Sequence, residues 1–350
     1  MTTKEKVLDI LAGAGESSVS GERIARLVGV TRAAVWKAVK SLREEGWQIE
    51  GTPNGGYALA DKDIFTTALL KSAIAKAFPE FADCHAETFK VIDSTNTYAK
   101  RVLAECGPLR SADGSLTSAG KKYHRAGIVA ESQTAGRGRL GRTFASPPKS
   151  GIYISVIYAP PGGITNPAML TACTAVAICR AVRKLFGAET QIKWINDVFY
   201  HQKKICGILA EGVTNFESGL IESAVVGMGL NIKDNPDVFS GNLAQVAGSI
   251  LGADAEKSLT RCQIAAQIAG EVLRIFGEDI ENHKKIIEEY RGLSFLVGRT
   301  ITVHPLIGDD KTAYEAKVTG IDDDARLIVE RPDGEVRALN SGEVTLHSDN

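Results

Sequence analysis

From Glu131 to Arg142 the chain interleaves three glycines (Gly136, Gly138, Gly141) with three arginines (Arg137, Arg139, Arg142), and no further acid follows until Glu189. Glycine lets a backbone reach positive φ and approach a ligand closely, while guanidinium forks are rigid bidentate donors to phosphate or carboxylate. This composition suits a loop that wraps anionic oxygens. The three glycines also spell G-x-G-x-x-G, but a dinucleotide fingerprint runs straight into a helix and meets an acid about 20 residues later. Here Thr143-Phe144-Ala145-Ser146-Pro147-Pro148 breaks any helix and that acid is missing. No kinase signature follows downstream either.

Two further stretches carry chemistry. Asp93-Ser94-Thr95-Asn96-Thr97 follows the strand-like Phe89-Lys90-Val91-Ile92 and precedes a helix from about Tyr98 to Glu105. A helix cap needs only one small polar residue; Ser94, Thr95 and Asn96 together make a mixed donor and acceptor cluster suited to a neutral polar group such as a urea or amide. Lys193, in Gln191-Ile192-Lys193-Trp194, sits between apolar neighbours just before the Ile195-Asn196-Asp197 turn, so its ammonium should point into a pocket mouth.

The elements that must position these groups follow from periodicity. Lys4 to Ala12, then Ser20 to Gly29, read as two helices, and Thr31 is a good N-cap for a third running to Glu45. Val35, Val39 and Leu42 face inward on the third, whereas Arg32, Trp36, Lys40 and Arg43 share another face. A hairpin from Trp47 to Leu59 around Gly51-Thr52-Pro53-Asn54-Gly55-Gly56 completes a winged helix-turn-helix. Its third helix would enter a major groove, with Thr31, Arg32, Trp36, Lys37, Lys40 and Arg43 as the DNA-binding set. Within that set Trp36 is expected to pack against the wing rather than read a base. Asp61-Lys62-Asp63 marks the exit, and Ile64 to Phe78 a linking helix.

Strands at Ala126–Glu131 and Gly151–Tyr158 flank the arginine loop, and Asn166-Pro167 opens an apolar core helix to Phe186. A hairpin joins Val198-Phe199-Tyr200 to Ile205 through Glu211 across the turn His201-Gln202-Lys203-Lys204. Leu220 to Met228 is a strand closed by Gly229-Leu230-Asn231. Thr260-Arg261-Cys262-Gln263 is a capping box for a helix to Phe276, and a charged helix ends near Tyr290. Gly107 to Arg125 reads as an exposed insertion. From Leu296 on, about fifty residues form five short strands with Gly-Asp, Asp-Asp-Asp and Pro-Asp-Gly turns, the size of an SH3-like barrel. The fold class is α+β, in three domains: 1–62, 63–294 and 295–350.

At 350 residues and 44% apolar content the chain can bury several cores. A net charge of −1 excludes a generally basic nucleic-acid coat, so DNA contact must come from a local patch. Six cysteines without a C-x-x-C pair and scattered histidines argue for reduced thiols and against structural zinc. Neither a signal core nor a run of 18 apolar residues occurs, so a cytoplasmic protein away from membranes is expected.

Read together, these motifs resemble the bacterial bifunctional biotin protein ligases that also repress the biotin operon. The resemblance spans nearly the whole length. It rests on Thr31-Arg32-Ala33-Ala34-Val35, Asp93 to Asn96, Gly136 to Arg142, Lys193-Trp194-Ile195-Asn196-Asp197, Gly207-Ile208-Leu209-Ala210-Glu211, Gly227-Met228-Gly229-Leu230-Asn231 and the C-terminal strands. It implies a central mixed-sheet ligase domain like that of class II aminoacyl-tRNA synthetases. It also implies a two-step reaction: biotin and MgATP give biotinyl-5'-AMP, and a lysine of a biotin carboxyl carrier protein then takes the biotin. The family's biotin contacts fall on Ser94, Thr95, Asn96, Gln133, Arg137, Gly138, Arg139 and Lys193. Arg137, Arg139 and Lys193 would be catalytic, with Lys193 neutralising the biotin carboxylate and the α-phosphate; its loss is expected to cost roughly 10²-fold or more. Arg142 is assigned to the phosphates, Asn231 to adenine, and Asp197 to Mg²⁺ unless its role is structural. The family commonly has proline at Ile195 and tryptophan at Phe144; neither departure removes a charge.

The acyl-adenylate offsets the cost of ordering the arginine loop, so ligand binding and loop closure are expected to be coupled. By resemblance the closed form meets either the carrier protein or a second copy, and only the homodimer places two winged helices on operator DNA. A ligand-sensing repressor without catalysis would leave the convergence of the polar cluster, the arginine loop and Lys193 unexplained. A lipoate or octanoate ligase would leave Ser94 to Asn96 unexplained.

Overall fold

The structure, a computed structural model, describes residues 2–14, 17–52, 55–61, 63–214, 219–236, 238–252, 259–277, 280–305 and 312–346. Pro53 and Asn54 of the wing turn, Lys62 of the exit, and the Gly308-Asp309 turn lie outside the described residues.

Three helices, α1 (Thr3–Gly13), α2 (Gly21–Val28) and α3 (Arg32–Glu44), precede the hairpin of β1 (Ile49–Thr52) and β2 (Gly56–Leu59). Thr2, Ser20 and Thr31 cap the helices through their side chains, and Gly29 ends α2 at φ 77°, the left-handed conformation glycine takes without a Cβ clash. Val7, Leu11, Ile24, Val35, Val39 and Leu42 form a core of their own, joined by Ile49 and Leu59 of the hairpin.

The linking helix α4 (Thr67–Ala77) begins three residues later than periodicity suggests, because Thr66 is its N-cap and Ile64 and Phe65 are buried before it. A seven-stranded sheet follows, made of β3 (Ala86–Ile92), β4 (Gly127–Gln133), β5 (Gly151–Tyr158), β6 (Gln191–Lys193), β7 (Asp197–Tyr200), β8 (Lys203–Thr214) and β9 (Ile221–Asn231). Its order is β3-β4-β5-β9-β8-β7-β6; β3 and β4 are parallel and the remaining pairs antiparallel. Of its helices, α5 (Thr95–Cys106) and α6 (Ser118–Tyr123) come before β4, and α7 (Pro167–Phe186) follows β5. The short α8 (Gly241–Val246), then α9 (Arg261–Phe276) and α10 (Ile280–Leu293), come after β9.

The main core joins α4, α7, α9 and α10 to this sheet, while Ala99 and Leu103 of α5 pack with Ile128, Ile157 and Val225 in a separate cluster. The capping box at Thr260 and Gln263 is present. The 107–125 segment is a folded subunit of the domain rather than an exposed insertion. Leu109 is buried, Arg110 Nε donates to Ala159 O at 2.7 Å, and a Cβ on Gly120 would collide with Leu109 O.

Strands β10 (Thr300–His304), β11 (Tyr314–Ile321), β12 (Leu327–Glu330), β13 (Val336–Leu339) and β14 (Glu343–Leu346) form an antiparallel sheet in the order β13-β12-β11-β10-β14. Its Ile301, Val303, Val318 and Val329 continue the main core. Trp194 Nε1 donates to Ala325 O at 2.9 Å and Arg291 Nε to Ile321 O at 2.6 Å, which fasten this sheet beside the β6–β7 turn. No helix among the described residues is long and apolar enough to cross a membrane.

Candidate functional site

The polar triplet lies in the first turn of α5 itself, three residues earlier than the expected helix start, with Ser94 Oγ accepting from Thr97 N at 3.4 Å. All three residues are at least 96% buried. Ser155 Oγ donates to Asn96 Oδ1 (2.6 Å) and lies 2.7 Å from Thr95 Oγ1. Asn96 Nδ2 donates to Leu209 O (3.1 Å) and Glu211 Oε2 (3.0 Å). Thr95 N donates to Gln133 Oε1 at 2.8 Å, and Gln133 Nε2 to Ser146 Oγ at 2.8 Å. The amides of Asn96 and Gln133 are therefore both committed to protein partners, and they line the cleft together with Ser94 and Thr95.

Glu211 also holds Lys100 at 2.7 Å and Arg137 at 3.4 Å. Burial raises its pKa, but the hydrogen bonds from Lys100 and Asn96 and the charges of Lys100 and Arg137 outweigh that and leave it below the usual carboxylate value. A depressed folded-state pKa contributes stability above the unfolded value, near 4.5, that is lost as pH falls through the folded one. The melting temperature should thus drop below pH 4.5, and Glu211→Gln should be less stable at pH 7 with a flatter acid slope; equal slopes in circular-dichroism melts would refute this.

The arginine segment is a compact turn. Gly138 N donates to Arg142 O at 2.7 Å and Phe144 N to Gly136 O at 2.9 Å, with Leu140 (φ 57°) and Gly141 (φ 74°) in left-handed conformation at its tip. Arg137, Gly138 and Arg139 face a narrow cleft of about 60 Å³ over the triplet. The cleft floor is glycine. A Cβ on Gly227 would strike the Asn96 side chain, and one on Gly229 the ring of Phe144, which packs over it.

The ammonium in this cleft belongs to Lys204, not Lys193. Lys204 pairs with Asp197 Oδ1 at 2.7 Å, and Asn196 Nδ2 also donates to Asp197 at 2.9 Å. Lys193 lines a second cavity beside the first, with Arg142, Asp197 and the C-terminal His304, Glu343 and Thr345. Arg139 and Asn196 line both. Arg139 Nη1 donates to Asn196 Oδ1 at 2.8 Å and Nη2 to Gly342 O at 3.3 Å; Arg142 pairs with Glu343 at 2.7 Å. Burial pushes the Lys193 ammonium pKa down and Lys204 adds to this, against the pull of Asp197. The expected single cluster is thus two adjoining cationic cavities sharing Arg139.

Asn231 lines neither cavity: it is buried at the end of β9 and its Nδ2 donates to Gly248 O at 3.0 Å. Among the described residues no group of three or more histidines, cysteines or carboxylates could hold a metal. Asp197 alone, already paired with Lys204, does not fit a protein-built Mg²⁺ site, since Mg²⁺ bound through one carboxylate takes its other ligands from phosphates and water.

On α3, Thr31 is the N-cap, and Arg32, Lys37 and Lys40 are exposed. Trp36 is 55% exposed with Lys40 Nζ 5.8 Å from its ring, so it does not pack against the wing. Arg43 does: its Nε donates to Ile49 O at 2.9 Å, which turns it from the open face toward β1.

Residues 88–231 match the model of the biotin/lipoate A/B protein ligase family, 3–58 an HTH domain, and 298–346 the biotin protein ligase C terminal domain. The bifunctional ligase/repressor BirA of Bacillus subtilis is 28% identical over 99% of both chains. Its counterpart in Escherichia coli is 26% identical over 99% of this chain and 98% of its own. Among solved structures, the biotin protein ligase from Aquifex aeolicus in complex with biotin and ATP has a similar fold, with TM-score 0.58 at 20% identity over 75% of this chain and 98% of its own.

Proposed function

This chain belongs to the biotin protein ligases that carry a helix-turn-helix domain, and on that premise we propose that it activates biotin with MgATP and passes it to a lysine of a biotin carboxyl carrier protein. The observation that carries this reading is the joining, through Arg139, of a cleft that sets neutral polar groups beside Arg137 and Lys204 to a second cavity lined by Arg142 and Lys193. A ureido head fits the hydroxyls of Ser94 and Thr95, neutral donors and acceptors that match an amide, in a cluster held in shape by Asn96 and Gln133. The carboxylate then lies toward Arg137, Arg139 and Lys204. One carboxylate oxygen attacks the α-phosphorus and pyrophosphate leaves, its charge met in the cavity of Arg139, Arg142 and Lys193. In the second step the carrier's amine attacks the acyl carbon, AMP departs, and an amide bond remains. Mg²⁺ bound to the nucleotide would screen the triphosphate charge, and Arg139, Arg142 and Lys193 would orient the phosphates.

Regions 1–62, 63–294 and 295–350 are read as DNA-binding, catalytic and C-terminal domains, the last curling into an SH3-like barrel. The chain acts in the cytoplasm, and a biotinyl-5'-AMP-promoted homodimer sets two copies of α3 on operator DNA. Incubating the protein with biotin, ATP and a carrier domain and weighing the carrier tests the reaction; a carrier of unchanged mass would overturn it. Ligand-independent dimerisation in sedimentation would overturn the switch. Lys37→Ala is expected to weaken DNA binding and lower the slope of log K against log salt by about 1, as the loss of one phosphate contact does; an unchanged slope removes Lys37 from the interface.

A further inference from the structure

Three segments that lead into the ligand cleft each touch the winged-helix side of the molecule. Lys90, four residues before Ser94, donates to Glu45 O at the end of α3 (2.7 Å) and lies 4.8 Å from the Trp47 ring. Glu131, two residues before Gln133, pairs at 2.8 Å with Arg261. Arg261 is fully buried at the start of α9; its Nε donates to Asp63 Oδ2 (3.0 Å), its backbone N to Asp63 Oδ1 and its Nη2 to Asp63 O (both 2.6 Å). Lys149, just past the arginine loop at φ 65°, pairs at 2.8 Å with Asp61. From the turn of Pro147, Pro148 and a left-handed Lys149 this side chain reaches the linker between the winged helix and the sheet.

We propose that the linker carboxylates Asp61 and Asp63 are positioning residues for the ligand cleft, fixing the two stems of the glycine-arginine loop through Lys149 and through the Arg261–Glu131 pair. This rests on the ligase reading. The upstream stem is rigid because the fully buried Arg261 is held between buried Glu131 and partly buried Asp63, and removing a partner leaves an uncompensated buried charge. The downstream stem is adjustable, since Lys149 and Asp61 are partly exposed and such pairs are weak and screened by salt. The hydrogen bond and charge of Asp61 hold the Lys149 pKa above the usual lysine value, against a smaller lowering by burial. The loop is thereby held firmly where it leaves Gln133 and loosely where it returns, and the loose end is attached to the DNA-binding half.

The test uses the full chain as Asp61→Lys, Lys149→Asp and the double exchange, with Asp63→Asn as a separate variant. Biotin at half-maximal rate and the rate at saturation are measured, together with tryptic cleavage after the loop arginines with and without biotin and ATP. Each single exchange is expected to raise half-saturating biotin about fivefold, the scale of an exposed pair, with the saturated rate kept; the double exchange restores the wild-type value. Asp63→Asn, which keeps an acceptor for Arg261 N, raises it further and speeds cleavage of the loop. Single variants that match wild type, or a double exchange that restores nothing, would overturn the linkage. A wild-type chain that is protected from trypsin by biotin but never modifies the carrier would count against the ligase reading and leave this linkage standing.

Discussion

Lys204→Gln should lower the rate of biotinyl-adenylate formation at saturating substrate by roughly 10²- to 10³-fold, the usual cost of deleting one preorganised charge at a reacting centre. The ammonium is fixed by Asp197 at 2.7 Å on the wall of the cleft that holds Ser94, Thr95 and Gln133, where a carboxylate placed between it and Arg137 would meet two cations. Glutamine keeps length and hydrogen-bonding capacity but supplies no charge as negative oxygens crowd at phosphorus, so the defect should appear in the maximal rate more than in biotin affinity. Pyrophosphate release under single-turnover conditions measures the step directly. Lys193→Gln, in the neighbouring cavity, should act chiefly on the ATP dependence. A Lys204→Gln enzyme with an unimpaired rate would remove Lys204 from the reaction.

Arg139→Ala is expected to be the second severe variant, with adenylation reduced by roughly 10²-fold and the ATP requirement raised together. Among the described residues it is the one cation that lines both cavities, and its two hydrogen bonds, to Asn196 and to Gly342 O, splay the guanidinium between the central domain and the C-terminal sheet. Arg139→Lys should recover little, because a single ammonium cannot make both bonds and still address an anion. Arg142→Ala, whose partner Glu343 is at the rim and whose side chain is 68% exposed, should cost far less. Comparable losses from the two arginines would undo this ranking.

Much of this site could be read from residue types alone. The glycine-arginine run and the polar triplet announce their chemistry, and both border one cleft. Lys204 stayed hidden for a geometric reason. Strict alternation along β8 places residue 204 on the face opposite Gly207, but the register with β7 shifts between Val198 and Phe199, so that Asp197 pairs with Gly207 and Phe199 with Lys204. The extra residue reverses the alternation and brings Lys204 round to the side of Gly207. A bulge leaves no mark in hydropathy, and the lysine looked like part of a solvated turn. Lys193 was visible for its apolar neighbours, which report its burial but not the cavity it faces. Asn231 and Asn96 show the same limit from another side. Residue type reveals capacity to hydrogen-bond, while only the packed chain reveals that Gly248 O, Leu209 O and Glu211 have already used it. The winged helix was legible down to its caps, because capping and amphipathic spacing are local; the exposure of Trp36 and the turning of Arg43 toward the wing depend on contacts across the hairpin.

The side-chain-free floor at Gly227 and Gly229 has a consequence for anyone designing inhibitors. Because neither glycine has a side chain, Asn96 and the Phe144 ring settle directly on the strand backbone, whose contour is set by pairing between β5, β8 and β9. The Phe144 ring lies over Gly229, and shaving it to a smaller residue is one way to make room for an enlarged vitamin analogue.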